Sequence, residues 1–196
     1  MKKLVALLFV FVVIFATTNL FAAEPQTKQG SKSLFFGLNG LSDLGVDNSY
    51  LGAQYLFQDD MGVWVSIGFN SKNDKPHENA YENKYSKLNF DIGFIYYAFQ
   101  KGPVAMWISP EIGLGIGSNE TSSSKITDNS FLAGVDLGVE WWAFENVSLS
   151  ASVFLGFESQ TLKTENKIQP NSETKATTNT FGIIGDEGKF TVSFYF

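Results

Sequence analysis

From Leu34 onwards, apolar side chains recur at every second position in a series of short stretches. The final stretch divides into two faces: Phe190, Val192, Phe194 and Phe196 on one, and Lys189, Thr191, Ser193 and Tyr195 on the other. A period of two predicts a β-strand, because successive side chains of a strand point to opposite faces. Seven further stretches share this period, with apolar faces that begin at Leu34, Leu51, Val63, Leu88, Met106, Phe131 and Val147. The pattern therefore predicts eight strands.

The connections between these stretches alternate in length. Short turns are predicted at 58–62, 100–103 and 144–146, whereas long connections rich in Ser, Thr, Asn and Lys are predicted at 70–86, 117–129 and 160–180. The first connection, 40–48, is intermediate. Long and short connections that alternate around an even number of strands are typical of membrane-spanning barrels, whose long loops face the cell exterior. The predicted fold is all-β: a closed, eight-stranded, antiparallel transmembrane barrel with up-and-down meander topology.

The two faces of the predicted strands differ in composition. One face carries branched aliphatic and aromatic residues, whereas the other carries Ser, Asp, Glu and many glycines, among them Gly37, Gly52, Gly68, Gly93, Gly113, Gly134, Gly138 and Gly156. A soluble ligand-binding barrel would turn its apolar face inward and its charged face to water. Here the second face is too small and too sparsely charged for a solvated exterior, and glycine permits close packing in a narrow interior. We therefore predict that the apolar face points outward to lipid.

Aromatic residues cluster near the strand ends. Six are predicted to form an outward girdle near the short turns: Tyr55, Phe57, Tyr96, Trp141, Phe194 and Phe196. A second ring is predicted at the opposite end, from Phe36, Phe69, Phe90, Phe131 and Phe157. Three tryptophans, Trp64, Trp107 and Trp142, fall on the inward face near short turns, as do Tyr97 and Phe99. We predict that these inward rings plug the lumen and that the barrel forms no stable ion channel. The alternative is that some of these rings turn outward around bulges at the strand ends and join the girdle.

Charged residues on the inward face form the candidate chemical site. Asp91, Glu111, Asp136, Glu140 and Lys189 are predicted to form a polar network in the lumen. Buried charges need partners, and an eight-stranded barrel is only just wide enough to be filled by side chains. A space-filling network is therefore favoured over a cation path or a carboxylate pair for acid–base chemistry. Pro110 interrupts one strand, and we expect a local distortion there without a change of register.

The amino-terminal end predicts export. Lys2 and Lys3 precede an apolar run, and small residues follow it, as in a secretory signal peptide. We assign 1–22 to this peptide, 23–32 to a short periplasmic segment and 33–196 to the barrel. Removal of the peptide leaves 12 lysines against 20 acidic residues. No arginine and no cysteine are present, so the composition argues against nucleic-acid binding and excludes disulfides.

The sequence offers no arrangement typical of an active site. Its only histidine, His77, lies in a predicted loop, and no Ser–His pair with a supporting acid stands out. The loop aspartates are not spaced like the ligands of a calcium loop. We therefore expect no enzyme activity, no cofactor and no metal site.

An alternating strand that ends on Phe196 resembles the final strand of bacterial outer-membrane β-barrels, and the whole pattern resembles the small OmpA/OmpX type. The resemblance implies a Gram-negative outer-membrane location and contact with outer-membrane lipid. It also implies that Phe190, Val192, Phe194 and Phe196 are the signal read by the barrel-assembly machinery. The function expected from it is structural or adhesion-like, with host or phage ligands bound through 70–86, 117–129 and 160–180. The alternative is a narrow passive pore for ions or small solutes.

Overall fold

The computed structural model describes residues 23–39, 49–74, 83–168 and 172–196. The predicted signal peptide, the connection 40–48 and His77 lie outside the described residues. The described part of the chain contains no helix long and apolar enough to cross a membrane.

The described residues form eight strands joined in sequence order. Their bounds are β1 Lys32–Asn39, β2 Ser49–Gln58, β3 Met61–Asp74, β4 Asn83–Lys101, β5 Val104–Glu120, β6 Ser124–Phe144, β7 Val147–Asn166 and β8 Glu173–Tyr195. Each strand pairs antiparallel with its neighbours along the chain. β1 also pairs with β8, for example at Leu34 and Phe194, and this pairing closes the ring. The predicted all-β antiparallel meander is confirmed.

The predicted inward and outward faces hold along most of the strands. Leu51, on the outward face of β2, is 62 % exposed, whereas Leu56 on the inward face of the same strand is fully buried. The aromatic residues of the two predicted outer rings are exposed, apart from Trp141, which is half-buried. The buried core lies at the short-turn end and consists of Leu56, Ile95, Tyr97, Ala105, Trp142 and Tyr195.

The predicted boundaries of the long loops are wrong, because the strands continue into them. Within 117–129 the connection between β5 and β6 is 121–123, and within 160–180 the connection between β7 and β8 is 167–172. Hydrogen bonds between hydroxyl side chains stabilise the additional strand pairing in these regions. Thr161 and Thr177 hydrogen-bond across β7 and β8 at 3.2 Å. Cross-strand pairs of this kind stabilise a sheet even where the composition is typical of loops.

Register shifts occur at the three short-turn ends, between Leu56 and Gln58, Tyr97 and Phe99, and Trp142 and Phe144. An extra residue in one strand turns the following side chains to the opposite face. The prediction that Phe99 points into the lumen is therefore wrong: its side chain is 55 % exposed. Phe144 is exposed in the same way.

Pro110 distorts its strand only locally, as predicted. On one side it stands opposite Val135 in an unbroken ladder with β6. On the other side the ladder with β4 runs to the pair Gly93–Glu111 and resumes at Tyr96–Ile108 in the same register. Proline has no N–H to donate, so a short interruption of one ladder is the expected cost.

The segment before β1 folds back across the short-turn end. Ala23 packs against the buried core, and Thr27 is itself buried. Thr27 accepts a hydrogen bond from Gln100 Nε2 at 3.0 Å through its hydroxyl, and one from the Asp60 N–H at 2.7 Å through its carbonyl. This segment therefore covers the end of the barrel that the aromatic core already fills.

Candidate functional site

Three aromatic rings fill the barrel interior at the short-turn end. The ring centroids of Tyr97 and Tyr195 each lie 5.9 Å from that of Trp142. Leu56 and Trp142 are fully buried, and both tyrosines are buried beside them. We call these four residues the aromatic layer. The alternation of the last strand predicts Tyr195 on the inward face, but its contact with the Trp142 ring depends on β6 and β8 meeting across the lumen.

Glu140 lies within the aromatic layer rather than in the charged network predicted for it. Tyr97 Oη donates to its Oε2 at 2.8 Å and Tyr195 Oη donates to its Oε1 at 2.7 Å, and Ser148 also donates to Oε1. Hydroxyl groups therefore satisfy this buried carboxylate. The hydrogen bonds also fix the tyrosines across the lumen, which makes Glu140 a positioning residue for the layer.

Trp64 and Trp107 are partly buried and pack against the buried core at the short-turn end. Trp64 donates from Nε1 to Ser109 Oγ at 2.8 Å. Gly93 stands directly opposite Trp64, and Gly138 directly opposite Trp107. A β-carbon at either glycine would collide with the facing indole. Of the three tryptophans predicted as a plug, Trp142 lies in the aromatic layer, whereas Trp64 and Trp107 line the space beyond it.

The charged network lies further from the short turns and joins three strands. Lys189 Nζ on β8 lies 2.9 Å from Glu111 Oε1 on β5 and 3.0 Å from Asp136 Oδ2 on β6. Ser152 donates to the same Asp136 oxygen at 3.2 Å. Glu111 and Asp136 are buried. These three charged groups meet as the sequence predicted.

Asp91 stands beside this network rather than within it. It accepts a hydrogen bond from Ser66 Oγ at 3.2 Å, and among the described residues it forms no ion pair. Asp128 was missed by the sequence analysis because it falls in a predicted loop. It faces inward from β6, where Lys87 Nζ lies 3.5 Å away and Gln160 Nε2 donates to it at 3.0 Å. Continuing the alternation of inward positions from β6 back through 117–129 would have placed Asp128 on the inward face.

A cavity of about 460 Å³ occupies the lumen beyond Trp64 and Trp107. The prediction that side chains fill the interior is therefore wrong for this part of the barrel. Gly113 and Gly115 line the cavity, and because glycine has no side chain, these two positions leave space in the lumen unfilled. The acidic and aromatic residues of the cavity lining make it a candidate binding site.

The far ends of β5 to β8 carry exposed ion pairs. Lys167 Nζ lies 2.7 Å from Glu120 Oε1, and this hydrogen bond holds the pKa of the Glu120 carboxyl below its usual value. Lys163 Nζ lies 3.1 Å from both Glu165 and Glu173, and the hydrogen bonds raise the pKa of its ammonium group. The pair Lys163–Glu173 links β7 to β8, and the pair Lys167–Glu120 links the residue after β7 to the end of β5. In the described ranges, no group of three or more His, Cys, Asp or Glu side chains could hold a metal ion.

Comparison with known proteins supports the fold. No protein-family model matches the sequence, and no curated protein matches it. The N-terminal β-barrel domain of Pseudomonas aeruginosa OprF matches with a TM-score of 0.50 and 17 % identity, over 86 % of this chain and 98 % of that one. At that identity the likeness concerns the fold, which is that of a small outer-membrane β-barrel.

Two looser likenesses have TM-scores below 0.5. Ail, the attachment invasion locus protein of Yersinia pestis, has a TM-score of 0.48 and 12 % identity, over 86 % of this chain and 99 % of that one. A major outer membrane protein from Thermus thermophilus has a TM-score of 0.46 and 14 % identity, over 85 % of this chain and 99 % of that one.

Proposed function

We propose that the protein is a non-enzymatic barrel of the outer membrane that presents a projecting β-sheet to partners at the cell surface. Its outward face supports membrane residence. Large apolar side chains are exposed on every strand, and Leu51, Leu114 and Ile116 are each more than 60 % exposed. Soluble monomers rarely expose so continuous an apolar surface, whereas a bilayer covers it.

The observation that carries the proposed surface role is the length of the strands. A tilted strand crosses a bilayer with about 9–11 residues. β5, β6, β7 and β8 contain 17, 21, 20 and 23 residues, whereas β1 and β2 contain 8 and 10. The excess on the long side extends the sheet by roughly 20–40 Å at about 3.3 Å per residue. Among the described residues, the sheet of β5 to β8 thus extends well beyond the paired part of β1 and β2.

The upper part of β8 is suited to binding an extended partner. Its residues Glu173 to Thr180 are all exposed and rich in threonine. Among the described residues, this part of β8 pairs with β7, whereas the pairing of β8 with β1 begins only at Lys189. A strand paired on one side offers backbone N–H and C=O groups on the other, and a peptide can add to it as a further strand. We infer that the partner is an extended segment of another surface protein.

The test is to shorten the projecting sheet without touching the barrel. Thr161 and Thr177 face each other across β7 and β8, and the deletion starts beyond Gln160, which hydrogen-bonds to the buried Asp128. Replacement of 162–176 by Asn-Gly should therefore leave a two-residue hairpin turn between the two threonines. Cells that carry the shortened protein should lose adherence to host-cell layers that the full-length protein supports.

Both forms should migrate faster on SDS gels before boiling than after, which would show that each barrel is folded. Equal adherence of the two folded forms would contradict the surface role. The passive pore has less support, because the aromatic layer and the segment before β1 both obstruct its short-turn end.

The terminal strand supports a further proposal, that Phe190, Val192, Phe194 and Phe196 are the assembly signal. Phe196 is 74 % exposed, and its N–H donates to the Lys32 carbonyl at 3.0 Å where β1 and β8 meet. Phe196→Ala should reduce the amount of folded barrel in cells several-fold. Phe181→Ala is the matched control, because Phe181 lies on the same strand and is 81 % exposed. Equal amounts of folded barrel from the two variants, measured by faster migration on SDS gels before boiling, would argue against an assembly signal at the terminus.

A further inference from the structure

The cavity inside the barrel carries more negative than positive charge. Its charged lining consists of Asp91, Glu111, Asp136, Glu140 and Glu158, with Lys87 and Lys189. Hydroxyl groups satisfy Glu140, and Lys87 lies beside a further carboxylate, Asp128. Lys189 is shared between Glu111 and Asp136. The cavity therefore holds carboxylates in excess, and charges kept from bulk water are costly unless an opposite charge accompanies them.

Two buried carboxylates in this lining also have unused hydrogen-bonding capacity. Glu111 is 4 % exposed and Asp136 is 3 % exposed. Each gives one oxygen to Lys189, but within the described part of the chain Oε2 of Glu111 and Oδ1 of Asp136 have no hydrogen-bond partner. Buried polar atoms normally have a partner, and these two oxygens, which have almost no accessible surface, leave the negative charge of the network only partly satisfied. Asp91, with one hydrogen bond from Ser66, offers a further acceptor on the same cavity.

Aromatic rings form much of the remaining lining, from Phe35, Tyr50, Trp64, Trp107 and Phe154. Ring faces attract cations at distances up to about 6 Å from the centroid. Lys189 Nζ already lies 5.4 Å from the centroid of the Phe154 ring. The ammonium group of Lys189 thus already lies between two carboxylates and an aromatic ring. Trp64 and Phe35 provide further aromatic rings in the lining of the same cavity as Asp91.

We propose that this cavity binds a small organic ammonium ion, a primary amine or diamine with a short alkyl chain. The ammonium group hydrogen-bonds to Asp91 and neutralises part of the excess negative charge, while the alkyl chain packs against Trp64 and Phe35. A volume of about 460 Å³ is ample for such a ligand. A metal ion fits less well, because the described residues hold no cluster of ligating side chains. The site is independent of the projecting sheet and of any partner bound there.

Calorimetry on the refolded barrel in a neutral detergent tests the proposal, with n-butylammonium and 1,4-diaminobutane as probes. Both should bind in the millimolar range or tighter, whereas 1-butanol, which lacks the charge, should not. Asp91→Asn should weaken binding about tenfold, equivalent to ~1.4 kcal/mol. Glu120→Gln is the matched control, because it removes an exposed carboxylate outside the cavity; its affinity should equal that of the wild type.

Several outcomes would overturn the proposal. Binding of 1-butanol with the affinity of the amine would make the cavity an apolar pocket. Complete displacement of the amine by sodium at the same ionic strength would make it a region of nonspecific counterions. Absence of binding, or unchanged affinity in Asp91→Asn, would remove the site. If Asp91→Asn does not migrate faster on SDS gels before boiling than after, Asp91→Ser, a smaller neutral replacement at the same position, supplies the test; unchanged affinity there would be equally decisive.

Discussion

Lys189→Met should strongly destabilise the barrel. Methionine keeps most of the length of the side chain but removes the ammonium group that lies within 3.0 Å of both Glu111 and Asp136. Removing one partner of a buried ion pair typically costs about 3–5 kcal/mol. The Lys189 side chain is 27 % exposed within the lumen, so we expect a loss near the lower limit, about 3 kcal/mol. Urea unfolding of the refolded barrel in detergent or liposomes would measure it.

Two further variants make this prediction specific. Lys175→Met, on the exposed upper part of β8, should leave the unfolding midpoint unchanged. Adding Glu111→Gln and Asp136→Asn to Lys189→Met should recover much of the lost stability, because the uncompensated charges then disappear. If Lys189→Met unfolds at the wild-type midpoint, the ion pairs do not hold the three strands together.

Removal of the aromatic layer should open the barrel to ions. The wild type should show no steady conductance in planar bilayers, because the rings of Trp142, Tyr97 and Tyr195 pack together in the lumen and the segment before β1 packs against this core. Replacement of Trp64, Trp107 and Trp142 together by alanine should produce steady channels. The triple variant also loses stability, since truncating a buried tryptophan costs about 3–5 kcal/mol. We therefore first check that the triple variant is folded, by its faster migration on SDS gels before boiling than after.

The double variant Trp64→Ala with Trp107→Ala is the matched control for this experiment. Trp142 and both tyrosines remain in place, so the double variant should enlarge the cavity without opening it. Channels in the double variant would mean that the block lies at Trp64 and Trp107 instead of in the aromatic layer. Steady wild-type conductance would refute the plug altogether and favour the passive pore.

Much of the fold follows from the sequence because the period of two is a local property. The alternation that begins at Leu51 or Phe190 depends on the pleat of a single strand, and exposure of one face and burial of the other confirm it. The same alternation is sufficient to place Lys189, Glu111 and Asp136 on the inward face. Their meeting at 2.9 and 3.0 Å then follows from a closed ring so narrow that inward side chains from different strands come into contact across it.

Only the tertiary structure decided where the local period fails and what the interior holds. Phe99 leaves the inward face because a bulge near the turn adds one residue to β4. The position of this bulge depends on how β4 pairs with β5, so β4 alone does not reveal it. Asp128 belongs to the lumen because β6 gains partners on both sides, which makes a Ser- and Asn-rich segment a strand. Glu140 stands apart from Lys189 because two tyrosine hydroxyls from other strands bind its carboxylate. Composition and periodicity determine which side chains each strand places on its inward face. Register and ring closure determine which of these side chains meet, because register and closure depend on residues far apart in the chain.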